Sequence, residues 1–203
     1  MDDTRLEEGT VAAVRGAAGA VAAGGTVVYP TETVYGLGAN ALDPAAVERV
    51  FEIKRRPGSE PLSLAVPTVD DASDVAEVGD RTERFMRRFL PGPVTVVVPR
   101  TAAIPDVLTA GLSRVGIRVP DHAVALALLR QTPPLTATSA NLSGAGSARR
   151  IEEIDPAVRE AVDAIIDGGK TPGGASTVVD PGRNEIIRRG LLADEIEAWL
   201  DGN

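Results

Sequence analysis

The sequence predicts an α/β fold, a mixed β-sheet with helical cover, built as one domain. Two observations carry this. Helical and strand-like stretches alternate along the chain, and several strands are separated by only a turn, as with Ser176–Asp180 and Glu185–Arg188, which argues for a mixed sheet over a purely parallel doubly wound one. A length of 203 residues suits a single good-sized core, and 43% hydrophobic with 25% charged residues are the proportions of a globular protein.

The elements follow from local signals. Residues 4–23 read as a small-residue amphipathic helix closed by Gly24-Gly25, and "TVVY" as a buried strand by its β-branched content. "PTETVYGLGANALD", rich in Gly, Thr and Asn, reads as an ordered loop. Asp43 before Pro44 is an N-cap and first-turn signal, and Val47, Val50, Phe51 and Lys54 recur at helical spacing until Pro57-Gly58 breaks the helix. "LSLAV" is the next strand. "DDASDVAEVGDRTERFMRRFL" suggests two helices, the second with Phe85, Met86 and Phe89 on one side. "PGPVTVVVP" and "RVGIRVP" are strands, "DHAVALALLRQ" a helix, and "PLTATSANLSGAGSARR" a strand running into a polar loop. "DPAVREAVDAIID" is expected to be helical, "ASTVVD" and "EIIRR" to be strands, and "ADEIEAWL" a closing helix.

Composition excludes several chemistries. With no cysteine there is no disulfide framework, thiolate nucleophile or Cys-ligated zinc, and the expected compartment is the cytoplasm. The acidic N-terminus, with Arg15 inside its Ala/Val-rich part, does not read as a signal peptide, and no apolar run approaches the ~18 residues of a membrane span. A single histidine, His122, leaves no His-cluster metal site; following "RVPD", it reads as a surface or capping residue. A net charge of -8 disfavours indiscriminate nucleic-acid binding, so clustered cations stand out. Of the 21 cationic residues only Lys54 and Lys170 are lysines.

Two near matches to nucleotide motifs fail on context. "GLGANA" has the G-x-G-x-x-A form, but its glycines do not open a helix, which starts later at Asp43-Pro44. "GGKT" at Gly168–Thr171 lacks the first glycine of a phosphate loop, and Pro172 forbids the helix that should follow. In "KRRPGSEP" the cations suit a helix C-terminus by the macrodipole alone. A lysine in a chain that otherwise uses arginine nevertheless suggests a point charge for phosphate. "TSANLSG" follows a strand, where ligand loops of α/β folds lie. Arg118 stands in an otherwise apolar strand, which suggests a buried or cleft-facing guanidinium clamping a carboxylate.

In this order, "YPTETVYGLGANA", "KRRP", "EPLS", "PGPVTVV", "VGIRVP", "TSANLSG", "STVVD" and "IIRRG" resemble the YrdC family of threonylcarbamoyl-AMP synthases. The motifs span about residues 25–190. The resemblance is to the short form with one domain, here residues 1–203. It implies a twisted mixed sheet flanked by helices, with a concave, positively charged cleft. It also implies an enzyme that makes L-threonylcarbamoyladenylate and pyrophosphate from L-threonine, bicarbonate and ATP, with Mg²⁺ accompanying ATP. A partner transferase would then carry the group to tRNA adenosine beside the anticodon, any direct contact with tRNA being weak or indirect.

By the same resemblance, Lys54 and Arg56 face the ATP phosphates, Ser139, Asn141, Ser147 and Arg188 hold the nucleotide, and Thr33, Arg118 and Ser176 hold threonine. Such a set suits a reaction between anions, where fixed cations and positioning do the work. Glu60, Leu90, Arg114 and Arg189 depart from the family pattern, Glu60 most seriously because a carboxylate repels phosphate. Two other readings stay open: a non-catalytic RNA-binding module of the same fold, and an enzyme forming a carbamoyl-adenylate. The first sits poorly with 3% aromatic residues.

Overall fold

The computed structural model describes residues 6–202. Nine strands form one mixed sheet: β1 (Val27–Tyr29), β2 (Gly36–Gly38), β3 (Ser63–Ala65), β4 (Val94–Pro99), β5 (Arg114–Arg118), β6 (Leu135–Ser139), β7 (Ala164–Ile165), β8 (Thr177–Asp180) and β9 (Glu185–Arg188). Their order is β7-β1-β2-β6-β3-β5-β4-β8-β9. β1 pairs parallel with β7, β3 with β5 and β4 with β8, while the remaining neighbours are antiparallel. The mixed sheet expected from the short spacing of β8 and β9 is the one observed.

Side-chain alternation divides the sheet into two faces. Leu64, Ile117, Val96 and Val179 lie in register across β3, β5, β4 and β8. They are buried against α2 (Pro44–Lys54), α3 (Asp80–Phe89) and the closing helix α7 (Ala193–Gly202) in the main core. On the opposite face, α1 (Glu8–Ala22) and α5 (Ala123–Leu129) cover only the end near β1, packing on Val27, Tyr29, Ala65 and Leu135. The rest of that face is left open. Two short helices, α4 (Asp106–Thr109) and α6 (Pro156–Ala161), complete the fold.

Asp43 caps α2 as expected, its carboxylate accepting from the Ala45 amide at 3.0 Å with Pro44 in the first turn. Helix α1 occupies most of the predicted range, of which residues 4 and 5 lie outside the described residues. Three expectations need correction. The predicted loop at 30–43 contains β2, paired on both edges. Its glycines have no strand propensity of their own, but the Tyr29 ring lies across them: a Cβ on Gly36 or Gly38 would stand 3.1 or 3.0 Å from that ring. The first of the two helices expected in "DDASDVAEVGDRTERFMRRFL" is only a 3-10 turn, Asp70–Asp74. The helix expected from Asp155 to Asp167 stops at Ala161, and Ala164–Ile165 instead pair parallel with Val27–Val28. A long-range partner there outweighs local helical spacing.

Helix α7 is fastened through aromatic contact: the Phe85 ring meets Trp199 edge-on at 5.0 Å and Phe89 at 4.7 Å. Phe85 is fully buried. Phe85→Ala is therefore expected to lower the unfolding free energy by ~3–5 kcal/mol, measured by urea titration; a loss under ~1 kcal/mol would show that this contact does not hold the closing helix.

Candidate active site

The open half of the sheet forms a cavity of about 630 Å³, within the range of small-molecule sites. Its floor is built from small side chains on one pleat face: Gly36, Ala137, Ser63, Ala65 and Gly116. A Cβ on Gly116 would lie 2.4 Å from Ser63 Oγ and 2.9 Å from Thr95 Cγ2, so glycine is what lets this part of the sheet stay concave. A glycine inside "VGIRVP" is the sequence signal that could have marked the floor.

At one side of the cavity, α2 ends in a left-handed turn. Arg55 takes φ 49°, and the Arg56 amide donates back to Phe51 O at 2.9 Å. This turn gives the three consecutive cations different fates. Lys54 points inward and is 1% exposed. Arg55 is exposed at the helix end, and Arg56 lines the cavity. Glu60, the departure expected to repel phosphate, pairs with Arg56 at 3.3 Å while its backbone oxygen accepts from Arg56 Nε at 3.1 Å. Pro61 O takes a further bond from Arg56 Nη2 at 3.1 Å, so the guanidinium is held from behind.

Lys54 does not line the cavity. Its ammonium donates to Ser139 O at 2.5 Å and Asn141 O at 2.6 Å, and the Ser143 amide donates to Lys54 O at 2.8 Å. Asn141 is also spent internally, its amide nitrogen donating to Leu142 O at 2.6 Å and Ala145 O at 2.8 Å, while Ser139 Oγ donates to Asn141 Oδ1. These two predicted site residues shape the loop that carries Ser139 and Ser147, both of which reach the cavity wall. Burial, with repulsion from Arg56, brings the Lys54 pKa down to about 8.

The other predicted residues converge on the same cavity. Arg118 Nη2 donates to Thr33 Oγ1 and to Glu32 Oε1, each at 2.8 Å. The carboxylate expected beside Arg118 is thus, in the first instance, one of the chain's own. Thr31 Oγ1 donates to Val34 O at 2.6 Å, so the 3.0 Å contact between the two hydroxyls is donated by Thr33. Thr33 Oγ1 then faces the cavity as an acceptor only. Arg188 donates to Ser176 O at 2.9 Å and to Ser176 Oγ at 3.1 Å. Burial and the neighbouring Arg118 charge lower the Arg188 pKa. Two guanidinium groups that line one cavity and repel each other are suited chemically to an anion between them.

Residues beyond those predicted also shape the site. Arg114 lines the cavity, paired with the buried carboxylate of Asp180 at 2.6 Å and bonded to Val97 O at 3.0 Å. The pair ties β5 to β8 across β4. Tyr29 lines the cavity with its phenol pushed up to about 12 by burial, Arg118 opposing and Glu32 adding to the shift. His122 occupies the N-cap position of α5, but its side chain does not cap the helix. The residue is partly buried, which lowers its pKa, and its Nδ1 has no hydrogen-bond partner, so the capping role expected of it does not apply. "GGKT" lies in a loop. Among the described residues no three or more His, Asp or Glu side chains gather to hold a metal ion.

The buried Lys54 charge has a measurable signature. Its folded pKa lies near 8, below the 10.5 of an unfolded lysine, so between those values the unfolded chain binds more protons. Stability contributed by this residue is therefore lowest at neutral pH and rises as pH climbs from about 8 toward 10.5. Urea titrations of wild type and Lys54→Met across this range are expected to diverge in the wild type's favour as pH rises. A difference that stays constant would mean that Lys54 titrates as an ordinary exposed lysine.

Residues 19–190 match the Sua5/YciO/YrdC family, described as telomere recombination. The threonylcarbamoyl-AMP synthase of Pyrococcus abyssi is 42% identical over 179 residues, covering 87% of this chain and 52% of that protein. The human threonylcarbamoyl-AMP synthase is 36% identical over 203 residues, covering 95% of this chain and 72% of that protein. Among solved structures, P. abyssi Sua5 complexed with L-threonine gives a TM-score of 0.87 at 40% identity, covering 96% of this chain and 58% of that one. The chain spans about half the length of the P. abyssi and Bacillus subtilis synthases it matches. A match running through the whole sheet, cavity included, places this chain in the Sua5/YciO/YrdC family.

Proposed function

We propose that this chain forms L-threonylcarbamoyladenylate and pyrophosphate from L-threonine, bicarbonate and ATP. The observation that carries the reading is one cavity lined by Arg56, Arg118 and Arg188, the last two close enough to repel each other. The chemistry calls for such a site. The threonine amine adds to the carbon of bicarbonate with net loss of water, giving a carbamate. A carbamate oxygen then attacks the α-phosphorus of ATP, and the bond from that phosphorus to the bridging oxygen breaks to release pyrophosphate. Nucleophile and electrophile are both anionic, so preorganised cations lower the barrier and positioning supplies the rest.

Arg56 and Arg188 take the triphosphate in this reading, with Ser139 and Ser147 on the nucleotide. Thr33, Arg118 and Ser176 take threonine. An acceptor-only Thr33 Oγ1 suits a donor, the substrate's amine or hydroxyl. Lys54 and Asn141 contribute from behind the wall by fixing the loop. Among the described residues no acidic cluster forms a protein cage for Mg²⁺, whose place in this reading is with the ATP phosphates as part of that substrate. Consumption of the adenylate requires an acyl acceptor, for which we propose a partner transferase acting on tRNA adenosine beside the anticodon. The proposed setting is the cytoplasm; no helix among the described residues is long and apolar enough to cross a membrane.

Pyrophosphate release by the purified chain with ATP, Mg²⁺ and bicarbonate is expected to depend on added L-threonine; release that ignores threonine, or none at any salt concentration, would refute the activity. Arg56→Ala should lower kcat/KM for ATP by ~100-fold, the scale of one preorganised electrostatic group, and a near-normal value would remove Arg56 from the phosphate site.

A further inference from the structure

We infer that Glu32 is a positioning residue for the carboxylate-binding arginine of this site, fixing the plane of Arg118 so that one amino group is presented to the substrate. The inference rests on the proposed reading in which Arg118 binds the threonine carboxylate. Glu32 does not itself line the cavity, whereas Arg118 does. Both side chains are 14% exposed and meet at 2.8 Å. Glu32 therefore stands one layer behind the arginine that touches substrate.

The atoms decide what this layer can do. Arg118 Nη2 makes both internal bonds, to Glu32 Oε1 and Thr33 Oγ1, and Nε is buried with no hydrogen-bond partner. Nη1 is the donor left for a ligand. A substrate carboxylate thus meets a single directed amino group beside the Thr33 hydroxyl, rather than the two-pronged fork that a free guanidinium offers. This geometry sets orientation, because the carboxylate can sit on only one side of the guanidinium.

Charge points the same way. Arg118 and Arg188 line one cavity and repel each other, and a guanidinium freed from Glu32 would recover its rotamer freedom. Glu32 offsets that repulsion by pairing with Arg118 at 2.8 Å without lining the cavity itself. Its other oxygen, Oε2, is buried without a hydrogen-bond partner, a placement that costs stability. A residue chosen for packing alone would not put a half-satisfied carboxylate there. The ion pair is better explained as stability given up for a fixed arginine.

Steady-state kinetics of the full chain test this, with thermal unfolding measured in parallel. Glu32→Ala is expected to raise KM for L-threonine by ~10-fold, the scale of one charge-assisted hydrogen bond, while KM for ATP stays within about twofold. Glu32→Gln, which keeps an acceptor oxygen but not the charge, should fall between Glu32→Ala and wild type, and it decides the matter alone if the alanine variant does not fold. In an Arg118→Ala background, Glu32→Ala should add nothing further to the threonine KM. A purely structural Glu32 would lower the unfolding temperature and the active fraction without separating the two KM values, and that result would overturn the inference. If Arg118→Ala itself leaves the threonine KM unchanged, the threonine site is wrongly placed and fails first. If Arg118→Ala raises it and neither Glu32 variant does, the positioning role alone is wrong.

Discussion

A single buried ammonium joins the two halves of the site. Lys54 closes α2, and its Nζ bonds the carbonyls of Ser139 and Asn141, the first of them 85 residues away along the chain. The Ser143 amide returns a bond to Lys54 O, so the loop is held by a main chain as well as by a side chain. Burying a charge is expensive unless its hydrogen bonds are met, and here two carbonyl oxygens meet them. The position of Ser139 and Ser147, and of Arg56 on the next residue but one, follows from this fastening.

Three of the cavity arginines share one design. Arg56 is held by Glu60, Arg114 by Asp180 and Arg118 by Glu32. Each guanidinium lines the cavity with a carboxylate fixing it in place. Such pairs contribute little to stability and can cost it, but they remove the rotamer freedom that a long cation would otherwise lose on binding. The proposed reaction between anions would gain from cations already in place. An acidic chain with a net charge of -8 can therefore still present an arginine-rich cavity.

The elements that read correctly from the sequence were those fixed by local chemistry. Asp43-Pro44 started α2 where expected, and the β-branched runs became β4, β5 and β8. Those that read wrongly depended on partners far away. Gly36–Gly38 are a strand because Tyr29 folds over them, and Ala164–Ile165 because β1 needs a parallel neighbour. Glu60 looked like a flaw for the same reason: its role is visible only once Arg56 is seen to curl back on it at 3.3 Å.

The sequence by itself determined the mixed α/β class, the motif order, and the residues that meet at the cavity: Thr33, Arg56, Arg118, Ser139, Ser147, Ser176 and Arg188 all line it. The resemblance of its motifs to the family suffices for that. Only the tertiary structure decided what each one touches. It turned Lys54 and Asn141 away from the cavity, gave Arg118 an internal carboxylate, and left the floor to Gly116. The physical reason is that those roles are set by partner atoms, many of them main-chain carbonyls and distant carboxylates, which a pattern of side chains along one chain does not display.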